Sequence, residues 1–152
     1  MACELIFITG ATGFVGSATA IAAVKGGYRL RICVRKHSDR LRVLLSEYSE
    51  QVEFITVSDW TDDAQFRGHL DGADYVIHLA HPLPSGTDKE YYFTPAVKVT
   101  TALLQEAARV PSIKKVILTS SIAALMPLDG IPYGGVVKGE FLWGSFPISS
   151  LV

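Results

Sequence analysis

The sequence predicts an α/β fold in which a doubly wound parallel sheet is covered by helices on both faces. Strand-like and helix-like patterns alternate along the chain, and the first strand-like run passes through a glycine-rich turn directly into a helix. The chain has 152 residues, of which 49% are hydrophobic. This length and composition suit one compact domain rather than two.

The first part of the chain predicts three strands and two helices. The first strand contains the apolar run Leu5-Ile6-Phe7-Ile8, and the helix after the glycine turn ends at Gly26-Gly27, a typical C-cap signal. Ser38 can cap the second helix. Strands are predicted at about residues 4–9, 28–34 and 52–57, and helices at 14–25 and 39–48.

The second part of the chain continues the alternation. A polar, acidic stretch at 59–63 leads into a short helix that ends near Leu70, and Asp71-Gly72 predicts a turn. A loop with proline and glycine at 81–87 separates the next two elements. Further strands are predicted at 74–79 and 114–119, and a long amphipathic helix at 91–108.

The glycine-rich turn is the segment that predicts a function. Gly10 permits a tight turn, Gly13 lets the backbone approach a ligand closely, and Gly16 lets the new helix pack against the strand. The free N–H groups and the positive end of the helix dipole would then face an anion. A dinucleotide pyrophosphate is the expected ligand, with contacts from Thr9, Gly10, Thr12, Gly13, Phe14, Val15 and Gly16.

Charge and cysteine content exclude other classes of partner. The net charge is −1, from 14 basic and 15 acidic residues spread along the chain, so neither nucleic acid nor an anionic membrane surface is expected as a partner. Cys3 and Cys33 have no metal-ligand spacing and are interpreted as reduced, buried thiols of a cytoplasmic protein. We expect no metal site, no signal sequence and no membrane span.

Five short motifs in order give a resemblance to a known family. They are the glycine turn, Asp59-Trp60-Thr61-Asp62, His78-Leu79-Ala80-His81-Pro82, Pro95-Ala96-Val97 and Thr119-Ser120-Ser121. Over roughly residues 5–125 the chain resembles the N-terminal part of an extended short-chain dehydrogenase/reductase, which has a Rossmann-like sheet. It is most similar to carbonyl reductases related to dihydroflavonol 4-reductase and cinnamoyl-CoA reductase, and to fungal ketone and aldehyde reductases. Nucleotide-sugar epimerases are more distant relatives.

The end of the second strand bears on which cofactor is bound. Arg35 stands where the ribose 2′ position is expected, about 20 residues beyond the glycine turn. A guanidinium, backed by Lys36 and Arg40, suits a 2′-phosphate and favours NADP(H) over NAD(H). The alternative is that Arg35 and Lys36 are only a solvated strand end. The resemblance implies that Asp59 and Trp60 contact the adenine, although Asp59 could also be an ordinary turn former.

The end of the fourth strand supplies further candidates. By the resemblance, Ala80 is the small residue against which the cofactor ribose lies, and Leu79 and His81 are neighbouring cofactor contacts. His81 could equally contact substrate. His78 could be an acid/base group, but its place at the apolar end of a strand favours a structural role.

The catalytic set is incomplete in this sequence. The resemblance implies that Ser121, or Ser120 in its place, hydrogen-bonds a substrate carbonyl; the alternative is that both are turn residues. The family also needs a Tyr-x-x-x-Lys helix. Tyr133 and Lys138 are five positions apart and lie beside two glycines, so they are not accepted as that pair.

Two functions from different classes therefore stay open. The first is an NADP(H)-dependent reductase of a ketone or aldehyde, or a shortened descendant of one, with a role in secondary metabolism implied by the fungal relatives. The second is a non-catalytic NADP(H)-binding module or a truncated product. We expect an incomplete dinucleotide-binding domain at 1–125, an irregular tail at 126–152 and no substrate domain. The tail would cover the sheet edge, pack on a second copy in a homodimer, or be foreign to the family.

Overall fold

A computed structural model of the chain describes residues 3–81 and 89–121. Within these ranges the strands are β1 (Leu5–Thr9), β2 (Arg29–Val34), β3 (Val52–Thr56), β4 (Tyr75–His78) and β5 (Lys115–Leu118). The α-helices are α1 (Phe14–Lys25), α2 (Asp39–Leu44) and α3 (Lys89–Arg109), and 3₁₀ helices span Ser46–Gln51 and Asp63–Phe66. The predicted irregular tail, Tyr133 and Lys138 lie outside the described residues.

The five strands form one parallel sheet in the order β3-β2-β1-β4-β5. The strand order reverses at β1, which pairs with β2 on one side and with β4 on the other. In register, Thr9 stands beside Cys33 and His78, and His78 stands beside Leu118. The carboxyl ends of the strands therefore meet at one edge of the sheet, where open α/β sheets bind their ligands.

Helices pack on both faces of the sheet, because alternate residues of the buried strands point to opposite sides. On one face, Ile6 and Ile8 of β1 pack with Ala20 and Val24 of α1 and with Leu41 at α2. On the other face, Phe7 of β1 belongs to the cluster that holds the buried side of α3. This architecture confirms the predicted doubly wound, Rossmann-like α/β fold.

The second helix is shorter than predicted. Residues 39–48 were expected to form one helix, but α2 ends at Leu44 and a 3₁₀ helix follows, with non-helical angles at Tyr48. The Ser46 hydroxyl donates a hydrogen bond to the Val43 carbonyl (2.8 Å), a local bond that competes with helix continuation. Ser38 occupies the predicted N-cap position, but its side chain makes no capping hydrogen bond.

The short helix predicted to end near Leu70 is a single 3₁₀ turn, Asp63–Phe66, followed by turns into β4. Two polar side chains fix this connection. Arg31 donates from Nη1 to the carbonyls of His69 (2.9 Å) and Asp71 (2.7 Å), and the buried Glu106 of α3 accepts from the Gly68 amide (2.8 Å). Because these bonds satisfy the loop backbone, the loop enters β4 without needing a longer helix.

The two cysteines lie in different environments. Cys33 is buried in β2, as predicted, and burial raises the pKa of its thiol to about 12. Cys3 is exposed, so the prediction that it is buried is wrong. Cys3 lies before the buried apolar run, which begins only at Leu5, the first residue of β1.

Strand β5 lies at the edge of the described sheet and is mostly exposed, including Ile117 and Leu118. Among the described helices, none is long and apolar enough to cross a membrane. Over residues 3–81 and 89–121, no group of three or more His, Cys, Asp or Glu side chains is arranged to hold a metal ion.

Candidate functional site

The turn between β1 and α1 leaves helix amides free. Gly10 adopts φ +78°, and the Gly13 amide donates to the Gly10 carbonyl (3.0 Å), so the chain reverses within four residues. Gly13 is the N-cap residue of α1 and has no side chain to cap the helix. No acidic side chain lies in the first turn. The first amides of α1 are therefore available to an anion, which confirms the backbone geometry predicted for the turn.

Close packing explains two of the three glycines. A Cβ on Gly10 would lie 2.5 Å from the backbone nitrogen of Ala80, and a Cβ on Gly16 would lie 2.1 Å from the Gly10 carbonyl oxygen. The turn is thus pressed against the chain leaving β4, and α1 is pressed against the turn itself. We predicted that Gly16 packs the helix against the strand; the observed contact is with the turn, at Gly10 and Ala11.

Gly13 differs from the other two glycines because the protein leaves its side open. The nearest atom to a Cβ at Gly13 would be the Gly10 carbonyl oxygen at 3.4 Å, an ordinary contact distance. Beside this opening, a surface cavity of about 470 Å³ extends from the turn to α2. It is lined by Ala11, Thr12, Gly13, Phe14, Ser17, Ser38, Arg40, Leu41, Val43 and Leu44. Its size is that of a small-molecule site.

Most of the residues that line the cavity at α2 were not predicted from the sequence. Arg40 was predicted as a supporting cation, and it does line the cavity, but Ser38, Leu41, Val43 and Leu44 were not proposed as site residues. The Ser38 cap signal fixed where the helix begins. Which face of α2 lies beside the glycine turn depends on how the helix packs against the sheet. A helix of six residues is too short for its apolar spacing to predict that packing.

The predicted cofactor contacts Phe14 and Val15 are exposed at the start of α1, with 94% of Phe14 accessible. Thr9 differs from them because it is fully buried. Its hydroxyl is 2.7 Å from Nδ1 of His78, and its carbonyl accepts from the Leu79 amide (3.1 Å). The structure gives Thr9 no exposed atom for a ligand, so its observed role is to join the ends of β1 and β4.

The end of β4 carries the next predicted group. Leu79 and Ala80 are half-buried, and their backbone atoms lie against Gly10. His81 is exposed. His78 is buried, and its hydrogen bond to Thr9 agrees with the structural role favoured by the sequence. Burial, with a smaller effect of the nearby His81, lowers the pKa of His78 to about 4, so the ring is neutral at physiological pH.

Acid is expected to weaken the fold through His78. The folded pKa of about 4 lies below the ordinary value of 6.5, so the unfolded chain binds a proton first as pH falls. Stability is therefore lost between about pH 6.5 and pH 4, by up to about 3 kcal/mol. Urea unfolding across this range should show a shallower pH dependence for His78→Asn than for wild type. Equal slopes for His78→Asn and wild type would contradict the assignment.

The ends of β2 and β3 hold the basic and acidic candidates. Arg35 and Lys36 are exposed directly after β2. Asp59 is exposed and its Oδ1 accepts from the amide (2.9 Å) and hydroxyl (2.7 Å) of Thr61, bonds that lower the pKa of the Asp59 carboxyl. These hydrogen bonds agree with the alternative that Asp59 is a turn former. The contact of Asp59 with adenine stays a prediction.

Trp60 is mostly buried instead of lying open at the surface. Its indole Nε1 donates to the Val57 carbonyl (2.7 Å), and its ring packs against Phe66 with centroids 6.3 Å apart. The guanidinium carbon of Arg35 lies 5.8 Å from the Trp60 ring centroid. The structure thus connects two predicted cofactor contacts that the sequence treated separately.

Ser120 and Ser121 are exposed just past β5. The Thr119 amide donates to the His78 carbonyl (3.0 Å), which brings this segment beside the end of β4. The glycine turn, Arg35, Ala80 and the two serines therefore share the carboxyl edge of the sheet. A helix end with free amides, at the same edge of the sheet as a cation, is an arrangement that proteins use to bind dinucleotide phosphates.

Comparisons with known proteins agree with this geometry. A family model described as the NAD dependent epimerase/dehydratase family matches residues 6–137. The chain is 78% identical over 143 residues to "Ketoreductase sphI" of Aspergillus fumigatus, covering 94% of this chain and 43% of that protein. It is 33% identical over 137 residues to "Ketoreductase CTB6" of Cercospora beticola, covering 82% of this chain and 38% of that protein.

A solved structure of Gre2 from Candida albicans, in complex with NADPH, superposes with a TM-score of 0.72 at 25% identity. The match covers 83% of this chain and 39% of that one. The chain thus spans less than half the length of the curated relatives and of the solved structure that it matches.

Proposed function

Because the chain belongs to the NAD-dependent epimerase/dehydratase family, we propose that it carries the cofactor site of an NADP(H)-dependent reductase of a ketone or aldehyde. The observation that carries this proposal is the uncapped start of α1 at Gly13, next to a strand that is followed directly by Arg35. The names of the two fungal relatives and the NADPH in the Gre2 structure support the choice of reaction and cofactor.

The described residues would divide the binding task by chemistry. The first amides of α1 would hold the pyrophosphate, since they are donors without partners in the helix. Arg35, with Lys36 and Arg40, would hold a 2′-phosphate through charge-assisted hydrogen bonds. Ala80 would leave room for a ribose beside the turn. When bound, the nicotinamide supplies the hydride that reduces the carbonyl carbon.

For the reduction itself, Ser121 would donate a hydrogen bond to the carbonyl oxygen and stabilise the negative charge that develops there. Ser120 is the alternative donor. The oxygen then needs a proton, and no tyrosine in the sequence stands four positions before a lysine. That proton would come from water, from another group or from a partner subunit.

A second candidate is a non-catalytic NADP(H)-binding module, which the glycine turn alone would support. The two candidates differ in turnover and not in binding. Oxidation of NADPH by the purified chain with small ketones and aldehydes, lost in Ser121→Ala, would favour the reductase. Tight binding with no turnover would favour the module. A cytoplasmic location and a homodimer stay predictions for either.

Cofactor preference is the direct test of the proposal. We expect the 152-residue chain to bind NADPH more tightly than NADH in a fluorescence titration. Arg35→Ser should weaken NADPH about 10- to 100-fold, because a charged hydrogen-bond donor to the phosphate is lost, and leave NADH nearly unchanged.

A matched control for Arg35→Ser lies on the same strand. Arg29 is an exposed arginine at the opposite, amino end of β2, so Arg29→Ser removes the same charge far from the proposed site. It should bind both nucleotides as wild type does. Equal weakening of NADPH binding by both variants would show that Arg35 acts only through its general positive charge. Failure of wild type to bind either nucleotide would reject the proposal.

A further inference from the structure

Trp60 is held in one orientation although it lies in a polar loop. The loop runs through Asp59-Trp60-Thr61-Asp62, and its other side chains are exposed. Trp60 is only 8% exposed, because its ring packs against Phe66 and Nε1 donates to the Val57 carbonyl at 2.7 Å. A hydrogen bond at one edge of the indole and a ring contact leave it little freedom to rotate.

Arg35 has the opposite character. It is exposed, it is the first residue after β2, and a long side chain at such a position samples many rotamers in solvent. Its guanidinium carbon lies 5.8 Å from the centroid of the Trp60 ring, within the range of a cation–π contact. The fixed indole at the end of β3 thus limits where the guanidinium at the end of β2 can go.

We propose that Trp60 is a positioning residue that presents the Arg35 guanidinium to the 2′-phosphate of NADP(H), and so contributes to the choice between NADP(H) and NAD(H). This inference rests on the proposed function, since it assumes that Arg35 is the phosphate-binding residue. A guanidinium already held in place loses less conformational freedom when it binds, which raises affinity without a new contact to the ligand. The structural element responsible is the pair Trp60–Arg35, which spans two neighbouring strand ends.

The inference differs from the expectation, given by the family resemblance, that Trp60 contacts the adenine directly. Adenine is common to NADPH and NADH, so an adenine contact would affect both nucleotides equally. A residue that acts through Arg35 would affect only the nucleotide that carries a 2′-phosphate. The ratio of the two affinities therefore separates the two roles.

The test is a titration of Trp60→Leu and Trp60→Phe with NADPH and NADH, alone and in the Arg35→Ser background. We expect Trp60→Leu to weaken NADPH about three- to fivefold, the size of a cation–π contact at a surface, with NADH unchanged. Trp60→Phe keeps an aromatic face, although a weaker one for a cation, and should weaken NADPH by only about twofold with NADH unchanged. In the Arg35→Ser background, Trp60→Leu should weaken NADPH no further, because the partner is already gone.

Phe54→Leu is a matched control. Phe54 makes a similar contact with another exposed cation, the Arg42 guanidinium, at 4.2 Å, and this contact does not involve Arg35. The control should leave the NADPH-to-NADH ratio at its wild-type value. Thermal melts of every variant show whether the fold is intact. If Trp60→Leu unfolds, the test depends on Trp60→Phe, in which the affinity for NADPH should fall about twofold while the affinity for NADH is unchanged.

Three outcomes overturn the inference. Equal weakening of both nucleotides by Trp60→Leu would indicate that Trp60 contacts the adenine. Additive losses in NADPH affinity for Trp60→Leu and Arg35→Ser would show that the two residues act independently. An unchanged NADPH-to-NADH ratio in every folded Trp60 variant would show that Trp60 does not affect the choice of nucleotide. These results differ from failure of the proposed function. In that case wild type binds neither nucleotide, or Arg35→Ser leaves the preference for NADPH unchanged.

Discussion

Gly13→Val is expected to abolish measurable binding of NADPH and NADH while the chain stays folded. Gly13 has φ −82° and ψ 172°, an extended conformation that valine adopts easily. Its Cβ would meet only the Gly10 carbonyl oxygen, at an ordinary distance of 3.4 Å. The branched side chain would instead occupy the opening through which an anion approaches the amides of α1. A steric cost of about 3 kcal/mol weakens binding by about 100-fold or more.

Two measurements on the same protein separate this effect from unfolding. Nicotinamide fluorescence reports binding, and a thermal melt reports the fold, which should lose only about 1 kcal/mol because valine is a poorer N-cap residue than glycine. Gly13→Ala should give an intermediate loss of affinity. If Gly13→Val kept wild-type affinity, the dinucleotide would not approach this side of the turn, and the motif would have been misread.

Gly10→Ala should instead damage the fold. Gly10 adopts φ +78°, which is unfavourable for any residue with a side chain, and its Cβ would lie 2.5 Å from the Ala80 nitrogen and 2.6 Å from the Leu79 carbonyl carbon. Backbone atoms cannot move aside as a flexible side chain can. We expect a loss of at least about 3 kcal/mol in the free energy of unfolding, measured with urea.

The chain offers a matched control for the backbone conformation alone. Gly27 follows α1 with φ +85°, and a Cβ there would meet nothing within 4 Å. Gly27→Ala should therefore lose only about 1 kcal/mol, the cost of a left-handed conformation without a clash. The difference between the two variants measures how tightly the turn packs on the end of β4. Equal losses would show that the close approach at Gly10 is absent.

Local signals in the sequence were sufficient for the strands and for the glycine turn. The run from Leu5 to Ile8 is apolar because β1 is buried on both faces, and such a run identifies a central parallel strand without any knowledge of its neighbours. Gly10, Gly13 and Gly16 have the spacing of a sharp strand-to-helix turn. The contact that excludes a side chain at Gly10 was not predicted, because it is made with the distant backbone at Leu79 and Ala80.

Side-chain contacts that leave no periodic pattern in the sequence were harder to predict. Trp60 lies among acidic residues, and its burial depends on Phe66 and on the Val57 carbonyl, which no periodic pattern announces. The end of α2 was misplaced because Leu41 and Leu45 keep helical spacing while the Ser46 hydroxyl bonds to the backbone. The partner of His78 is Thr9, 69 positions earlier, and only the pairing of β1 with β4 brings them together.

The order of the strands has a consequence for how the chain folds. Within β1, Leu5 pairs with Arg29, a separation of 24 positions, whereas Ile6 pairs with Tyr75, a separation of 69. The β1–β2–β3 half closes short loops, and the addition of β4 closes a much longer one at greater entropic cost. The contact of Gly10 with Ala80 closes this longer loop, and so does the bond between Thr9 and His78. A ligand that binds at the glycine turn would therefore stabilise contacts with a large loop-closure cost.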